Sequence, residues 1–517
     1  MLFSSPEFIF LFLPAAVLGF FLAPAQPLWV RKVWLLAVSL IFYGYWKIEY
    51  IPLLLFSICF NYAVAETIAR RGGGHSAKMA CICGVTVNLL LLGYYKYTNF
   101  FAGVLGHLLG RMHPQQQIHF DIILPLAISF FTFTQIAYLV DVYRDPSLHH
   151  RFLDYALFVV FFPHLIAGPI VRHWEIIPQY SQRPLRPDTT DRSVGLALFL
   201  VGLAKKVLLA DPLSQYVAAV YGAAAQGTVV TWFDAWLGTI AFALQIYFDF
   251  SGYSDMAIGL ARLFGIKFPV NFNSPYQARS ISEFWSRWHI TLTRFLREYV
   301  YFPLGGNRCG FARHAFNIMA TMLLSGLWHG AGWTYVFWGG LHGFYLVVSD
   351  RWRKFKESWW RVDGLCHRFS GRCLTLLAVL VAWVFFRAST FGAALNLLSG
   401  MFGGHGWTMT TDVTNPARFP GRLWARWGVL FVPGSFKVES YDWLFKLIAV
   451  AALIALFFPN SQQLLADYKP ALEPVQRPRL FRLRLSWSGG LLLGAIFWGI
   501  IRSFYHAAPS PFLYFNF

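Results

Sequence analysis

The run Gln245-Ile-Tyr-Phe-Asp249-Phe-Ser-Gly-Tyr-Ser-Asp255 sets polar and ionisable residues among aromatic and apolar ones. An ionisable side chain at the centre of a membrane-spanning helix costs roughly 2.5–3.5 kcal/mol on insertion scales. A membrane-embedded sequence that keeps such residues is expected to use them, either in ion pairs or in chemistry. The run therefore predicts a helical core within a membrane and the position of a functional site.

Three later stretches contain the same mixture of histidine, amide, charged and aromatic residues. They are Asn271-Phe-Asn-Ser-Pro-Tyr276, Phe284-Trp-Ser-Arg-Trp-His289 and Ser325-Gly-Leu-Trp-His-Gly330. With the first run they make a signature region of about residues 245–343. We expect this region to belong to a single integral membrane domain, residues 1–517.

The composition is that of a polytopic membrane protein. Of the 517 residues, 57% are hydrophobic, 19% aromatic and only 13% charged, whereas soluble domains carry about 25% charged residues. Apolar runs of about 17–25 residues, long enough to cross a bilayer, recur along the chain. The predicted spans lie near 7–23, 33–47, 50–68, 79–95, 193–210, 232–250, 313–327, 333–349, 373–390, 443–459 and 487–502.

Two segments predict helices that are not simple spans. Proline and glycine interrupt the apolar sequence between residues 120 and 170, which favours re-entrant half-helices lining a cavity. In residues 280–302, charged and apolar residues alternate at spacings of three and four, which predicts an amphipathic helix at the membrane interface or against the bundle.

The net charge of +19 follows from 43 basic and 24 acidic residues. Most basic residues stand in short loops beside apolar spans, which is typical of topology determinants and lipid contacts and argues against nucleic-acid binding. Arg31, Lys32, Arg70 and Arg71 place the N-terminus outside, with 351–372 as a cytoplasmic loop. Residues 403–440 are the candidate outside loop.

His329 is the strongest candidate for a catalytic base, because an imidazole titrates near neutral pH and can carry a proton between a hydroxyl and a leaving thiolate. Gly326 and Gly330 beside it allow close approach of backbone or ligand. His289 is a candidate second base or orienting group. For both histidines the alternative is an ordinary packed and hydrogen-bonded side chain.

The carboxylates admit a structural and a functional interpretation. Asp249 and Asp255 can orient a histidine, but pairing with a basic residue is the preferred interpretation. Asn271, Asn273 and Tyr276 can cap or line the site, or serve ordinary turns. The six cysteines show no CxxC pair or metal-ligand spacing, and the sequence has no GxSxG, Walker-type, HExxH or GxGxxG motif. No metal site is predicted.

Taken together, the four stretches resemble the membrane-bound O-acyltransferase (MBOAT) family, and within it the membrane subunit of bacterial alginate O-acetylation and cellulose-acetylating relatives. The resemblance implies an all-α polytopic membrane protein, a bundle of about 11 transmembrane helices with re-entrant and amphipathic interfacial helices around a central tunnel. It implies catalytic roles for His329 and His289. We expect the residues that line the tunnel or orient groups in it to be Asp249, Asp255, Asn273, Tyr276, Trp285, Arg287, Trp288, Ser325 and Trp328.

The resemblance also implies a reaction and its setting. An acetyl group is taken from a cytoplasmic thioester, acetyl-CoA being the expected donor substrate, and no cofactor is bound. The acetyl group crosses the bacterial inner membrane toward periplasmic acetyltransferase or SGNH-type partner proteins and the export machinery of a polysaccharide. Alginate is the polysaccharide that we expect. Membrane lipids are the other expected contacts.

Several alternatives stay open. His329 can activate the acceptor hydroxyl directly, or an acyl-histidine can form as a transient covalent intermediate. The polymer can be cellulose or another exopolysaccharide, and D-alanyl transfer to teichoic acid uses a similar architecture. A non-enzymatic transporter with an ionisable pathway is the rival from another class, although transporters often show internal repeats, and none is recognised in this sequence.

Overall fold

The helix Trp232–Leu263 contains the run that opens the signature region, and it is the longest helix of the described residues at 32 residues. At 1.5 Å per residue it extends about 48 Å, more than the thickness of a bilayer's hydrocarbon core. It starts at Thr231, whose side chain accepts a hydrogen bond from the Asp234 backbone N–H. Nearly every residue of the helix is buried, so it forms the centre of the bundle.

The computed structural model describes residues 1–24, 26–109, 120–181, 185, 187–359, 364–411, 421–432, 441–478, 481–504, 510, 512 and 513. The helices of the first half are α1 (Leu13–Leu22), α2 (Trp29–Gly44), α3 (Ile51–Arg71), α4 (Gly74–Leu92), α5 (Thr98–Leu108), α6 (Ile128–Arg144), α7 (Phe152–Val160), α8 (Phe162–Leu165), α9 (His173–Ile176), α10 (Thr189–Ala204), α11 (Asp211–Ala225) and α12 (Trp232–Leu263).

The second half continues the helical bundle and adds one pair of short strands. Its elements are α13 (Ile281–Arg287), α14 (Ile290–Leu296), α15 (Phe311–His329), α16 (Trp333–Trp359), α17 (Leu365–Arg387), α18 (Phe391–Met401), β1 (Thr408–Thr410), α19 (Gly421–Arg426), β2 (Leu430–Val432), α20 (Tyr441–Phe457), α21 (Ser461–Leu464) and α22 (Trp487–Phe504). Turns of π-helix occur at Phe8–Phe12, Gly93–Tyr97, Lys205–Ala210 and Arg297–Tyr301. Turns of 3-10 helix occur at Ile48–Tyr50, Pro146–Leu148, Ile177–Tyr180, Pro275–Gln277 and Ala466–Tyr468.

The prediction of an all-α polytopic membrane protein is confirmed. Five helical stretches of the described chain are long and apolar enough to cross a membrane: Ile48–Arg71, Gly74–Leu108, Thr189–Ala225, Cys366–Arg387 and Trp487–Phe504. Each contains one of the spans predicted from the sequence or coincides with most of it. Helices also cover the other predicted spans, such as α2, α12 and α15, but these do not meet the same length and hydropathy criteria.

Glycines allow α10 and α12 to pack in backbone contact. A Cβ atom on Gly202 would lie 2.5 Å from the Gly252 carbonyl oxygen, and one on Gly195 would lie 2.7 Å from the Gly259 carbonyl oxygen. Each helix thus presents two glycines seven residues apart to its neighbour. Small residues at such contacts let membrane helices approach closely, where dispersion contacts replace the missing hydrophobic driving force.

Residues 280–302 differ from the single amphipathic helix that their pattern predicts. The chain forms α13, breaks at His289, and continues as α14 and the π-helical turn Arg297–Tyr301. Phe284, Trp285 and Trp288 are buried, so the segment packs inside the protein. The pattern of apolar residues was correct for the buried face, but it carries no signal for the break.

The short helices α7 and α8 lie where re-entrant half-helices were predicted, and the residues from Tyr155 to Leu165 are buried throughout. In the candidate outside loop, β1 pairs in parallel with β2. Most of the rest of that loop, residues 412–420 and 433–440, lies outside the described residues, as do residues 360–363 of the predicted cytoplasmic loop.

Candidate active site

The hairpin of α15 and α16 holds His329 in place. A Cβ atom on Gly326 would lie 2.2 Å from the Tyr335 carbonyl oxygen, and one on Gly339 would lie 2.2 Å from the Met322 carbonyl oxygen. Only glycine permits this contact between the two backbones. The last turn of α15, which ends at His329, is therefore fixed against α16 by main-chain atoms rather than by flexible side chains.

An aromatic shell surrounds the His329 side chain, which is 3% exposed. Ring centroids of Trp328, Trp338 and Phe386 lie 4.9, 5.1 and 5.3 Å from the imidazole, all three edge-on. Such an environment excludes water and lowers the local dielectric, which strengthens every electrostatic interaction made inside it.

His289 lies between α13 and α14 with φ of 42°, a left-handed conformation that is uncommon for a residue with a side chain. Its ring is fully buried and packs edge-on against Phe250 at 4.7 Å. Strained backbone of this kind persists only where the surroundings enforce it, and it clusters at functional sites. The Asn271 carbonyl oxygen supplies part of that constraint by accepting a hydrogen bond from the Ile290 N–H at 3.0 Å.

Asn271 also determines which nitrogen of His289 carries the proton. Its Nδ2 donates to Ser254 Oγ at 3.2 Å, which identifies Oδ1 as the acceptor end. Oδ1 accepts from Thr291 Oγ1 at 2.9 Å and lies 3.1 Å from His289 Nδ1. The imidazole therefore donates through Nδ1–H, and Nε2 is the basic nitrogen. A neutral histidine held in one tautomer by an amide is suited to act as a general base.

The two histidines belong to one cluster. The Trp328 ring contacts both, with its centroid 6.1 Å from that of His289 and 4.9 Å from that of His329. Trp328 in turn stacks on Phe133 and contacts Phe130, both from α6. Residues that are 40 positions apart in the sequence are thus held around one indole.

A cavity of about 130 Å³ leads to this cluster. Its lining joins the surface residue Trp46 with the loop before α6 and with Trp328 and His329. Because Trp46 is exposed and His329 is buried, the cavity connects the protein surface with the imidazole. A ligand that enters here can reach His329 without crossing the helix bundle.

Asp249 lies in an ion-pair network rather than beside a histidine. One of its oxygens is 2.6 Å from Lys206 Nζ, and the other accepts from the Leu513 backbone N–H at 3.0 Å. Lys206 also pairs with Asp211 at 2.8 Å. Next to Leu513, Phe512 stacks on Tyr253 at 4.5 Å. Asp249 therefore links the segment at Phe512 and Leu513 to the centre of α12.

Asp255 makes the corresponding contact one helix turn and a half later. Its Oδ2 pairs with Lys205 Nζ at 2.6 Å and accepts from Ser461, and its Oδ1 accepts from Gln462. This carboxylate joins α12 to the start of α21. Both aspartates have the pairing role that the sequence analysis preferred, and a role in orienting a histidine remains a prediction.

The other predicted site residues divide into a buried and a peripheral group. Trp285, Trp288 and Ser325 are buried near the histidines, and Trp285 Nε1 donates to His342 Nδ1 at 3.3 Å. Tyr276 is buried too, and its hydroxyl donates to the Ala243 carbonyl oxygen at 2.5 Å, so it supports α12.

Asn273 and Arg287 lie farther out. Asn273 is exposed, and its backbone N–H donates to the Arg287 carbonyl oxygen at 2.9 Å. The Arg287 guanidinium pairs with Glu283 at 2.7 Å. The two residues stabilise the loop that precedes His289, and the structure does not bring them to the cavity lining.

Three residues of the site were not among those predicted from the sequence: Lys96, Trp338 and His342. His342 is fully buried, and its ring lies 5.0 Å from that of Trp338. A signal existed, because His342 stands among glycines in an apolar helix, as His329 does. Lys96 directly follows the span predicted near 79–95, and its sequence context gave no comparable signal.

Residues 146–391 match the membrane-bound O-acyltransferase (MBOAT) family. A peptidoglycan O-acetyltransferase of Helicobacter pylori is 42% identical over 435 residues, covering 78% of this chain and 80% of that protein. A probable alginate O-acetylase of Azotobacter vinelandii is 40% identical over 415 residues, covering 79% and 80%. One from Pseudomonas putida is 36% identical over 525 residues, covering all of both chains.

Proposed function

This chain belongs to the membrane-bound O-acyltransferase family, and on that premise we propose that it moves acetyl groups from a cytoplasmic thioester across the membrane for O-acetylation of an exported polysaccharide. The chain is an O-acyltransferase of the membrane. The observation that carries the proposal is the pair of buried histidines that both contact Trp328 at a cavity that reaches the surface.

The proposed chemistry needs a base, a positioned carbonyl and exclusion of water. His329 accepts the proton of the acceptor hydroxyl while the oxygen attacks the thioester carbonyl carbon. The tetrahedral intermediate collapses, the carbon–sulfur bond breaks, and the protonated imidazole returns the proton to the leaving thiolate. The aromatic shell keeps water from competing with the acceptor.

His289 has a supporting role in this mechanism. Its Nε2 is the basic nitrogen because Asn271 binds Nδ1–H, and its ring contacts the Trp328 ring, which also contacts His329. We assign His289 to proton transfer at the acceptor or to orientation of the acyl carbonyl. A covalent acyl-histidine on His329 is the competing route, and trapping of an acetylated peptide after rapid denaturation distinguishes the two.

The donor and the setting are parts of the same proposal. We expect acetyl-CoA as the donor, used as a substrate rather than held as a cofactor. We place the chain in the bacterial inner membrane with its N-terminus in the periplasm. The acetyl group is then received by periplasmic acetyltransferase or SGNH-type partners that act on the polymer during export.

Two polymers are supported by specific relatives. The probable alginate O-acetylases favour alginate, which the sequence analysis expected. The Helicobacter relative, named as a peptidoglycan O-acetyltransferase, favours peptidoglycan. Deleting the gene and measuring acetyl esters separately in secreted polymer and in isolated cell wall decides between them.

A reconstituted assay tests the reaction itself. The full-length chain in vesicles is supplied with acetyl-CoA on the side of its basic loops, and free thiol is measured with and without acceptor. Wild type is expected to release thiol in proportion to acetyl ester formed, whereas His329→Ala releases none above background. Flux of acetate without thioester consumption would instead identify a transporter, and activity only with a D-alanyl carrier protein would identify the teichoic acid reaction.

A further inference from the structure

Lys96 and Tyr97 hold the C-terminal end of α15. They are neighbours in the π-helical turn Gly93–Tyr97, which joins α4 to α5, and turns of this type are frequent at functional sites. Lys96 Nζ donates to the Trp328 carbonyl oxygen at 2.5 Å, and the Tyr97 hydroxyl donates to the Leu327 carbonyl oxygen at 2.8 Å. The last carbonyls of a helix have no donor within the helix itself. The two side chains therefore fix the turn that carries the candidate base, and the ammonium group is held beside it.

The same ammonium group lines the cavity that leads to His329. Besides Lys96 and His329, the described lining is apolar or neutral. Lys96 Nζ lies 3.5 Å from Ser129 Oγ and 5.9 Å from the centre of the Trp328 ring. The cavity volume of about 130 Å³ is below the roughly 300–1,000 Å³ of pockets that enclose drug-sized ligands. Its size therefore suits the reacting end of a substrate rather than a whole substrate molecule.

The charge of Lys96 is not balanced by the protein. Three other lysines inside the bundle have a carboxylate oxygen at 2.5–2.6 Å, namely Lys32 with Asp154, Lys205 with Asp255 and Lys206 with Asp249. Among the described residues, no carboxylate oxygen lies within 4.0 Å of Lys96 Nζ. Since a charge inside a protein is costly unless it is paired, an unpaired lysine at a cavity indicates that an anionic group forms or binds there.

We propose that Lys96 is a catalytic residue that stabilises the oxyanion of the tetrahedral intermediate formed beside His329. The inference rests on the proposed function and adds a catalytic group to it. When the acceptor oxygen attacks the thioester carbonyl carbon, the π-electron pair of the carbonyl moves to its oxygen, and the hydroxyl proton goes to His329. The ammonium donates a hydrogen bond to this oxyanion and transfers no proton. Collapse restores the carbonyl, breaks the carbon–sulfur bond and returns the proton from His329 to the thiolate.

The placement of the Lys96 ammonium suits this role. It has three N–H donors, and Trp328 and Ser129 account for two, which leaves one for a ligand. Because the Trp328 carbonyl already fixes the group, no reorganisation is needed when negative charge develops on the substrate. The aromatic residues around His329 lower the local dielectric, so that a charge-assisted hydrogen bond is stronger here than in water. The reaction itself thus supplies the counter-ion that the protein lacks.

Two ketone analogues of acetyl-CoA distinguish stabilisation of an oxyanion from binding of the donor. Acetonyl-CoA keeps a trigonal carbonyl, whereas trifluoroacetonyl-CoA forms a tetrahedral hydrate whose acidic hydroxyls resemble the oxyanion. The purified full-length chain in detergent is titrated with each analogue, and kcat and KM for acetyl-CoA are measured in vesicles. Because analogues of a transition state bind far more tightly than substrates, wild type should bind the trifluoro analogue about 100-fold more tightly than acetonyl-CoA.

Lys96→Met should reduce that preference about tenfold to 100-fold, the size of one hydrogen bond to a charged group, and leave the affinity for acetonyl-CoA unchanged. It should lower kcat about 100-fold to 1,000-fold with little change in KM, as the loss of one oxyanion donor does. Lys96→Arg keeps the positive charge and should retain part of the preference and part of kcat. Lys96→Gln keeps an N–H donor for the Trp328 carbonyl without the charge, and it should lose the preference even where Lys96→Met fails to fold.

Tyr97→Phe is the matched control, because it removes the neighbouring hydrogen bond to α15 without changing the charge of the cavity. It should leave the preference between the analogues unchanged, whatever its effect on thermal unfolding. A preference that persists in Lys96→Met and Lys96→Gln overturns the inference and makes Lys96 a helix cap only. Equal affinity of wild type for the two analogues, with thiol still released from acetyl-CoA, overturns it as well. A wild-type chain that releases no thiol and binds neither analogue refutes the proposed function, and the role of Lys96 with it.

Discussion

At the scale of single residues, the pairing of His289 with Asn271 is the feature that separates an oriented base from a packed histidine. The Asn271 side-chain oxygen accepts hydrogen bonds from the imidazole and from Thr291, and the Asn271 side-chain nitrogen donates one to Ser254. Both histidines were found from the sequence, because histidine is rare among Phe, Trp and Leu. Asn271 was recognised only as a candidate for capping or lining the site, since the hydrogen bond joins residues 18 positions apart through an irregular segment.

Asn271→Ala is expected to lower kcat about 10-fold to 100-fold while KM for the thioester changes little. The physical reason is loss of the tautomer and orientation of His289, which removes part of the roughly 100-fold to 10,000-fold that a general base contributes. Thiol release from acetyl-CoA, measured at several donor concentrations, gives kcat and KM separately. As a control, Asn271→Asp keeps the acceptor oxygen and should retain more activity. A change confined to KM would contradict the assignment.

The paired aspartates show what could not be predicted from the sequence for single residues, namely their ion-pair partners. Lys205 and Lys206 stand together inside an apolar span, which was an available signal for partners of Asp249 and Asp255. Periodicity alone does not show which helices are neighbours. The sequence therefore indicated that both aspartates form ion pairs, but not which lysine pairs with which aspartate. The close contact of α10 with α12 at their glycines is what brings each lysine to its aspartate.

At the scale of elements, the α15–α16 hairpin positions His329 through backbone contact. The sequence showed glycines around His329 but not that Gly326 would face Gly339. The break at His289 was also not predictable, because a left-handed residue inside an amphipathic pattern leaves the spacing of apolar residues almost unchanged.

Gly339→Ala is expected to destabilise the protein by about 1–3 kcal/mol, the usual cost of overpacking. The added Cβ would lie 2.2 Å from the Met322 carbonyl oxygen, so α15 must move and carry His329 with it. Thermal unfolding in detergent and thiol release measure the two effects. Gly222→Ala is the matched control, since a Cβ on this α11 residue meets nothing within 4 Å and should leave both properties unchanged. Equal behaviour of the two variants would show that the contact does not position the site.

At the scale of the whole molecule, composition was sufficient for the class of fold, and helices formed at each predicted span. The number of crossings does not follow from the sequence, because α12, α15 and other central helices carry the polar residues that chemistry and ion pairing require. The short helices α7 and α8, which are buried from Tyr155 to Leu165, likewise depend on neighbours that are distant in sequence.

The orientation of the bundle gives a prediction at this scale. In a background without other cysteines, Cys366 at the start of α17 should resist a membrane-impermeant thiol reagent in spheroplasts and react in inverted vesicles, because it lies in the basic segment 351–372, which is expected in the cytoplasm. Ile48→Cys, at the opposite end of the bundle and 70% exposed, should show the reverse. The opposite pattern for both would invert the orientation and place the cavity of Trp46 and Lys96 in the cytoplasm.

The central claim is that His329 at the end of this cavity transfers acyl groups to an exported glycan. The measurement that tests it most directly is the acetyl ester content of the exported polymer in cells expressing wild type, His329→Ala or His75→Ala at equal membrane levels, His75 being exposed and remote in sequence from the signature region. The account predicts that His329→Ala abolishes the esters with polymer yield unchanged, and that His75→Ala matches wild type. Normal ester content in His329→Ala would contradict it.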